Sequence, residues 1–196
     1  MSAFEDRLNQ ILPRLTSKEL LTNQGLSNEI GFWVFDYPPE SELEMRAFLT
    51  EVIEPALAKH HPPIRFSTVN VFDLAIGLLE ERGLLDKALD MQKTQGDDKA
   101  LESLRRVLKE DKLAERLVSQ VDVDNLDLVI LTGVGSAYPI LRTHTLLSAL
   151  HPLMKDTPLL MLYPGKYDGY SFRLFNKLSE DHYYRAFRLV PDAKST

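Results

Sequence analysis

The chain has 196 residues, 44% hydrophobic and 27% charged, with a formal net charge of −6 and no cysteine. This is the profile of a globular protein the size of one domain. The missing cysteine excludes a disulfide scaffold, a thiolate zinc site and a cysteine nucleophile.

The first segment places Phe4, Leu8, Ile11, Leu12 and Leu15 on one helical stripe, interrupted by Pro13, so a short or kinked helix is expected. Residues 30–36 (IGFWVFD) form an apolar run closed by Tyr37-Pro38-Pro39, which reads as a strand buried on both faces. Residues 40–59 read as a helix that Pro55 kinks or ends. Residues 64–70 alternate as a second strand, and residues 72–82 follow as a helix with Gly83 as its C-cap. Residues 84–121 set leucines among dense charges and predict two or three short helices inserted at the edge of the sheet or standing away from it. Those leucines also suggest a two-fold dimer, which would supply cover the sheet lacks.

The strand rhythm resumes at residues 127–132, leaving through Gly133–Tyr138 into a helix over 139–151 with Pro139 near its start. Residues 158–163 form the next strand, with an exit loop over Tyr163–Gly169 and a short helix near 170–178. Residues 184–190 form the last strand, and the closing PDAKST is expected to fray. The sum is a single α/β domain over 1–196. Its mainly parallel five-stranded sheet carries helices on both faces and a helical insertion at about 84–121.

Open parallel sheets bind ligands where the strands end. That edge would gather Asp36, Asn70, Thr132–Tyr138 and Tyr163–Gly169. Gly133, Gly135 and Ser136 could let backbone amides approach an anion, or could simply make a tight turn. No lysine lies between Lys112 and Lys155, so a Walker A loop is excluded, and Tyr138 stands where a dinucleotide fingerprint needs a third small residue. Arg142 and His144 follow on the same stretch, His144 as a hydrogen-bonding group near the loops. Asp36 and Asp168 could share a divalent cation, although no paired-carboxylate motif supports this and capping the next turn is the simpler role for Asp36.

The segment Tyr163-Pro164-Gly165-Lys166-Tyr167-Asp168-Gly169-Tyr170 is rich in tyrosine, a composition of recognition surfaces. Tyr167 and Tyr170 read either as outward anchors for a partner or as rings that hold the loop's shape. Arginines interleaved with aromatics across Ser171–Phe175 and Tyr183–Arg188 could stack bases. Against this, residues 1–79 carry 6 basic against 11 acidic side chains and residues 125–196 only 8 against 6, so autonomous nucleic-acid binding is not expected. No complete catalytic constellation, cofactor motif or metal-ligand spacing is visible.

The stretches LTGVGSAYPILRTHTLLSALHPL and PLLMLYPGKYDGYSFRLFNKLSEDHYYRAFRLV resemble the BrxB family, as do GLSNEIGFWVFDYPPESELEMR and VNVFDLAIGLLEERGLLDK. BrxB proteins are small components of bacterial BREX phage-exclusion systems. The resemblance implies a cytoplasmic, non-enzymatic adaptor that binds other BREX proteins. The candidates are the phosphatase-fold protein PglZ, the BREX ATPase and the methyltransferase. It carries no catalytic residues over to this chain. The residues leave two other functions open, a cryptic nucleotide- or phosphate-binding regulatory subunit and a metal-dependent nuclease or phosphatase. No apolar run approaches the roughly 20 residues of a membrane span, and the opening MSAFEDRLNQ lacks the apolar core of a secretory signal.

Overall fold

A computed structural model describes residues 3–23, 31–179 and 184–191. The helices are α1 (Ala3–Leu8), α2 (Ile11–Leu15), α3 (Lys18–Leu21), α4 (Glu42–Phe48), α5 (Glu54–Ala58), α6 (Val71–Glu81), α7 (Leu85–Gln95), α8 (Asp97–Val107), α9 (Glu110–Val121), α10 (Val134–Ala137) and α11 (Thr143–Leu150). The strands are β1 (Phe32–Tyr37), β2 (Phe66–Asn70), β3 (Leu128–Thr132), β4 (Leu159–Tyr167), β5 (Phe172–Leu174), β6 (Leu178–Ser179) and β7 (Phe187–Arg188).

Along the main path the strands run β2-β3-β4-β1-β7, and each neighbouring pair is parallel. Two further strands change the architecture. β4 continues past the edge of the parallel sheet, β5 pairs with it antiparallel, and β6 pairs antiparallel with β5. The sheet is therefore mixed and seven-stranded, not the mainly parallel five-stranded sheet expected.

The apolar runs of β1, β3 and β4 are continuous because both faces of the sheet are covered. Phe32, Val34, Val129, Leu131, Leu159 and Met161 turn to one face, where they meet Leu74 and Leu78 of α6, Leu113 and Leu117 of α9, and Leu146, Leu147 and Leu150 of α11. Trp33, Phe35, Leu128, Ile130, Leu160 and Leu162 turn to the other. There they meet Ile11, Leu15 and Leu20 of the N-terminal helices, and Met45 and Leu57 of α4 and α5.

Local chemistry explains how several elements begin and end. The stripe from Phe4 to Leu15 divides at Asn9–Gln10, which puts Pro13 in the first turn of α2, where no backbone N–H is required of it. Pro55 does not stop its helix. The stretch from Glu42 to Ala58 passes through a π turn at Leu49–Ile53, just before the proline, and the wider turn absorbs the missing hydrogen bond and the ring. Gly83 adopts φ +62° and closes α6 as expected: its N–H donates to the Glu80 carbonyl at 2.9 Å and that of Leu84 to Leu79 at 2.8 Å, a Schellman motif.

Other expectations need correction. Gly133–Tyr138 is not a plain loop, since Val134–Ala137 forms α10, and the next helix begins at Thr143 rather than at Pro139. The helix expected near 170–178 is replaced by β5, β6 and a turn in which Phe175 and Asn176 take positive φ. Of residues 184–190 only Phe187–Arg188 is strand. Ile30 and the tail from Asp192 lie outside the described residues.

Residues 84–121 form three helices. α9 joins the core through Leu113, Ala114 and Leu117, and Leu108 just before it is also buried. Of the eight leucines expected to need a second copy, Leu108, Leu113 and Leu117 are thus buried within the chain, and Leu84, Leu85 and Leu104 are half-buried against the same core. α7 has no buried residue and packs on α8, with Leu89 45% exposed. Leu117→Ala should accordingly cost about 2–5 kcal/mol, and Leu89→Ala within about 0.5 kcal/mol of zero, in urea unfolding.

Candidate functional site

The parallel strands end in register along one edge, with Asn70 beside Thr132, Asp36 beside Tyr163 and Tyr37 beside Pro164. The chain leaves β1 for β2 through α4 and α5 on one face, and passes from β3 to β4 through α10 and α11 on the other. The β1–β4 boundary is therefore the switch point, where an open sheet parts into a crevice. A crevice of 210 Å³ lies there, lined by Arg7, Asp36, Tyr37, Pro38, Gly165, Lys166 and Asn176.

Asp36 is 4% exposed. Its Oδ1 accepts a hydrogen bond from Arg7 Nη2 at 2.6 Å and lies 3.5 Å from Arg188 Nη2. Its Oδ2 accepts the backbone N–H of Tyr167 at 3.1 Å. Asp36 therefore does not cap the following turn. It ties α1, β4 and β7 to β1. Arg7 also donates to the Val190 carbonyl at 3.2 Å, and its guanidinium lies 4.9 Å from the centre of the Phe35 ring. At the end of β1, the Tyr37 hydroxyl donates to Glu42 Oε2 at 2.5 Å. Burial first, then the Glu42 carboxylate, pushes the Tyr37 phenol far above its ordinary value, which leaves it a neutral donor.

The glycine segment is filled by the chain itself. Gly133 has φ +74°, and a Cβ there would meet Asn70 Oδ1 at 2.0 Å. That oxygen already accepts from the backbone N–H groups of Phe72 and Asp73, capping α6. A Cβ on Gly135 would meet the Phe175 ring and Pro164 at 3.0 Å. The glycines thus serve close packing in a tight turn. Ser136, Tyr138 and Arg142 are exposed, while His144 is buried in the first turn of α11, where its carbonyl accepts the Ser148 hydroxyl at 2.8 Å. Beside this turn, a hollow of 430 Å³ lies between the ends of β2 and β3 and the helices α6 and α9, with Asn70, Asp73, Gly77, Arg116, Gln120 and Thr132 in its wall.

The tyrosine segment divides between inside and outside. Tyr163 and Tyr167 are buried, and Tyr167 stacks on Phe172 with ring centres 4.5 Å apart. The Tyr167 hydroxyl accepts the Ala186 N–H at 2.7 Å and lies 3.0 Å from the carbonyls of Tyr184 and Ala186. Tyr167 therefore holds the fold, whereas Tyr170 stands 62% exposed at the tip. Gly165 is required where β4 and β5 meet, since a Cβ would lie 2.3 Å from the Arg173 carbonyl oxygen. Asp168 shapes the turn: its carboxylate accepts from Tyr170 N, Ser171 N and Ser171 Oγ at 2.8–3.0 Å. The backbone bond from Ser171, with those that support it, holds the Asp168 carboxyl below the ordinary carboxylate value.

Asp36 and Asp168 thus serve separate tasks. Among the described residues no group of three or more His, Asp or Glu side chains gathers to hold a metal ion. Sequence reasoning missed Arg7 and Arg188 at this edge, and gave Lys166, inside Tyr163–Gly169, no role of its own. For Lys166 and Arg173 a signal was present, because Lys166 alternates with the inward Gly165 and Tyr167, and Arg173 with Phe172 and Leu174.

Tyr167→Ala should lower stability by about 3–5 kcal/mol. Tyr167→Phe should lower it by about 1–3 kcal/mol, because the Ala186 N–H loses its acceptor; chemical denaturation measures both. The Asp168 contribution is complete above the ordinary value of 3.8 and is lost as the pH falls through the lower folded value. Melting temperature should therefore drop more steeply with acid below about pH 4 in the wild type than in Asp168→Asn.

Comparison with known proteins agrees along nearly the whole chain. The family model described as BREX protein BrxB matches residues 67–189. A BREX protein BrxB of Escherichia coli O9:H4 (strain HS) is 43% identical over 189 residues, covering 96% of this chain and 92% of its own. A BREX protein BrxB of Bacillus cereus (strain H3081.97) is 36% identical over 194 residues, covering 97% and 99%. No solved structure matches the chain at a significant level. With a family match over most of its length and relatives of this identity, the chain belongs to the BrxB family.

Proposed function

We propose that the chain is a non-catalytic adaptor in a BREX phage-defence system, holding other BREX proteins through the surface its fold leaves outward. The observation that carries this is the state of the carboxyl edge. In open α/β enzymes that edge holds the reacting groups. Here the Asp36 carboxylate meets two arginines and a backbone amide. The glycine turn is packed by Asn70, Phe175 and Pro164. The phosphatase-fold PglZ protein and the BREX ATPase are the partners of choice, with the methyltransferase next. No helix among the described residues is long and apolar enough to cross a membrane, which fits assembly with such partners away from a bilayer.

Co-expression of the tagged chain with the other BREX proteins tests the assignment. At least one of them should co-purify in a fixed ratio from cells that resist phage. A tagged chain that supports resistance yet purifies alone would overturn it.

A further inference from the structure

We propose that the outer face of the β4–β5 ribbon receives an acidic segment of a protein partner, whose carboxylates lie against Lys166 and Arg173. This rests on the adaptor reading and adds the chemistry of the surface.

The two residues are directly opposite each other in the antiparallel register, Lys166 with Arg173, and both are exposed. Their neighbours point inward: Tyr167, Phe172 and Leu174 are buried in the core. The alternation therefore fixes both cations on the outer face of a ribbon whose inner face is locked by aromatic packing. Like charges directly opposite on a ribbon destabilise it. Among the described residues neither has an ion-pair partner, although Arg106, Lys112, Arg65 and Lys155 all find carboxylates. Folding alone therefore gives no reason for the juxtaposition, whereas an incoming anion would relieve it.

The ribbon also forms a hollow of the right character. A space of 280 Å³ is lined by Lys166, Asp168, Ser171 and Arg173, every one polar or charged. The Asp168 carboxylate in its wall is already turned onto the amides and hydroxyl of its own turn. Lys166 continues into the neighbouring crevice, and Tyr170 stands at the tip as an amphipathic contact. Arg173 can take a carboxylate through two parallel N–H groups, with Lys166 as a point charge beside it. A protein segment fits better than nucleic acid. A polyanion needs several phosphates neutralised over a basic face, while this hollow offers two cations on a molecule of net charge −6.

A fluorescent decaglutamate peptide and a short DNA duplex serve as probes for the purified chain and for the double variant Lys166→Thr, Arg173→Thr. The peptide should bind at low salt, weaken as salt rises, and lose about tenfold or more in affinity in the double variant, as expected when two charge-assisted contacts go. The variant should melt at the same temperature or higher, because the repulsion is gone. Equal peptide binding by both proteins, no peptide binding by the wild type, or a lowered melting temperature would each overturn the assignment. Tighter binding of the duplex, lost in the double variant, would overturn it in favour of nucleic acid. Co-purification separates this from the adaptor assignment. If the double variant still captures BREX proteins as the wild type does, only the ribbon's role falls; if the wild type captures none, the adaptor assignment falls and the peptide decides the ribbon.

Discussion

The buried carboxylate of Asp36 is the constraint around which the rest of the molecule is arranged. A charge removed from water needs both an opposite charge and hydrogen bonds, and removing one partner of such a group typically costs about 3–5 kcal/mol. Here the partners come from three parts of the chain: Arg7 from α1, Arg188 from β7 and the Tyr167 amide from the far end of β4. Each must arrive in place or Asp36 is left short. The N-terminal helices are thereby drawn onto one face of the sheet, and β4 is held along β1 beyond the parallel ladder. Hydrophobic burial supplies the bulk of the driving force on both faces, and it is not directional. The carboxylate supplies direction at the edge where the layers meet.

The extension of β4 turns this edge from an open crevice into a supported platform. In a simple doubly wound sheet the strand would end near Tyr163 and a loop would border a ligand. Instead the strand runs on through Tyr167, turns through Asp168–Ser171 and returns as β5. Tyr167 and Phe172 stack beneath it, and the Tyr167 hydroxyl reaches across to Ala186. The same tyrosine fixes the inner side of the ribbon and the path of the chain into β7. A recognition surface built on such a base loses little conformational freedom when a partner arrives.

The sequence made the parallel part of the fold legible. β1, β3 and β4 are apolar at successive positions because both of their faces are covered, and such runs stand out against charged helices. The Schellman cap at Gly83 could be read from a glycine alone, since few other residues accept that conformation. The ribbon was harder. Gly165, Gly169 and three tyrosines have the composition of a loop, and the turn between β5 and β6 uses positive φ at Phe175 and Asn176, where no glycine signals it. The surroundings of Asp36 could not be read locally at all. Arg7 stands 29 residues from it and the Tyr167 amide 131, so neither leaves a spacing to detect. The glycines at 133 and 135 left two readings open for the opposite reason: backbone freedom needed for close packing looks in sequence like freedom needed for a phosphate.

The strand order has a consequence for synthesis on the ribosome. β1 is made early, yet both strands that flank it, β4 and β7, come from the C-terminal quarter of the chain. Until they emerge, β1 has no neighbour on either side, and Phe32, Trp33, Val34 and Phe35 form an apolar segment with unpaired edges. Such a segment is a hazard for association with other nascent chains. Arg7 is the one partner of Asp36 available from the start, close enough in sequence to meet it while most of the protein is still unmade. An early pairing of these two would keep a charge and a helix beside β1 throughout the wait, guarding the strand until its neighbours arrive.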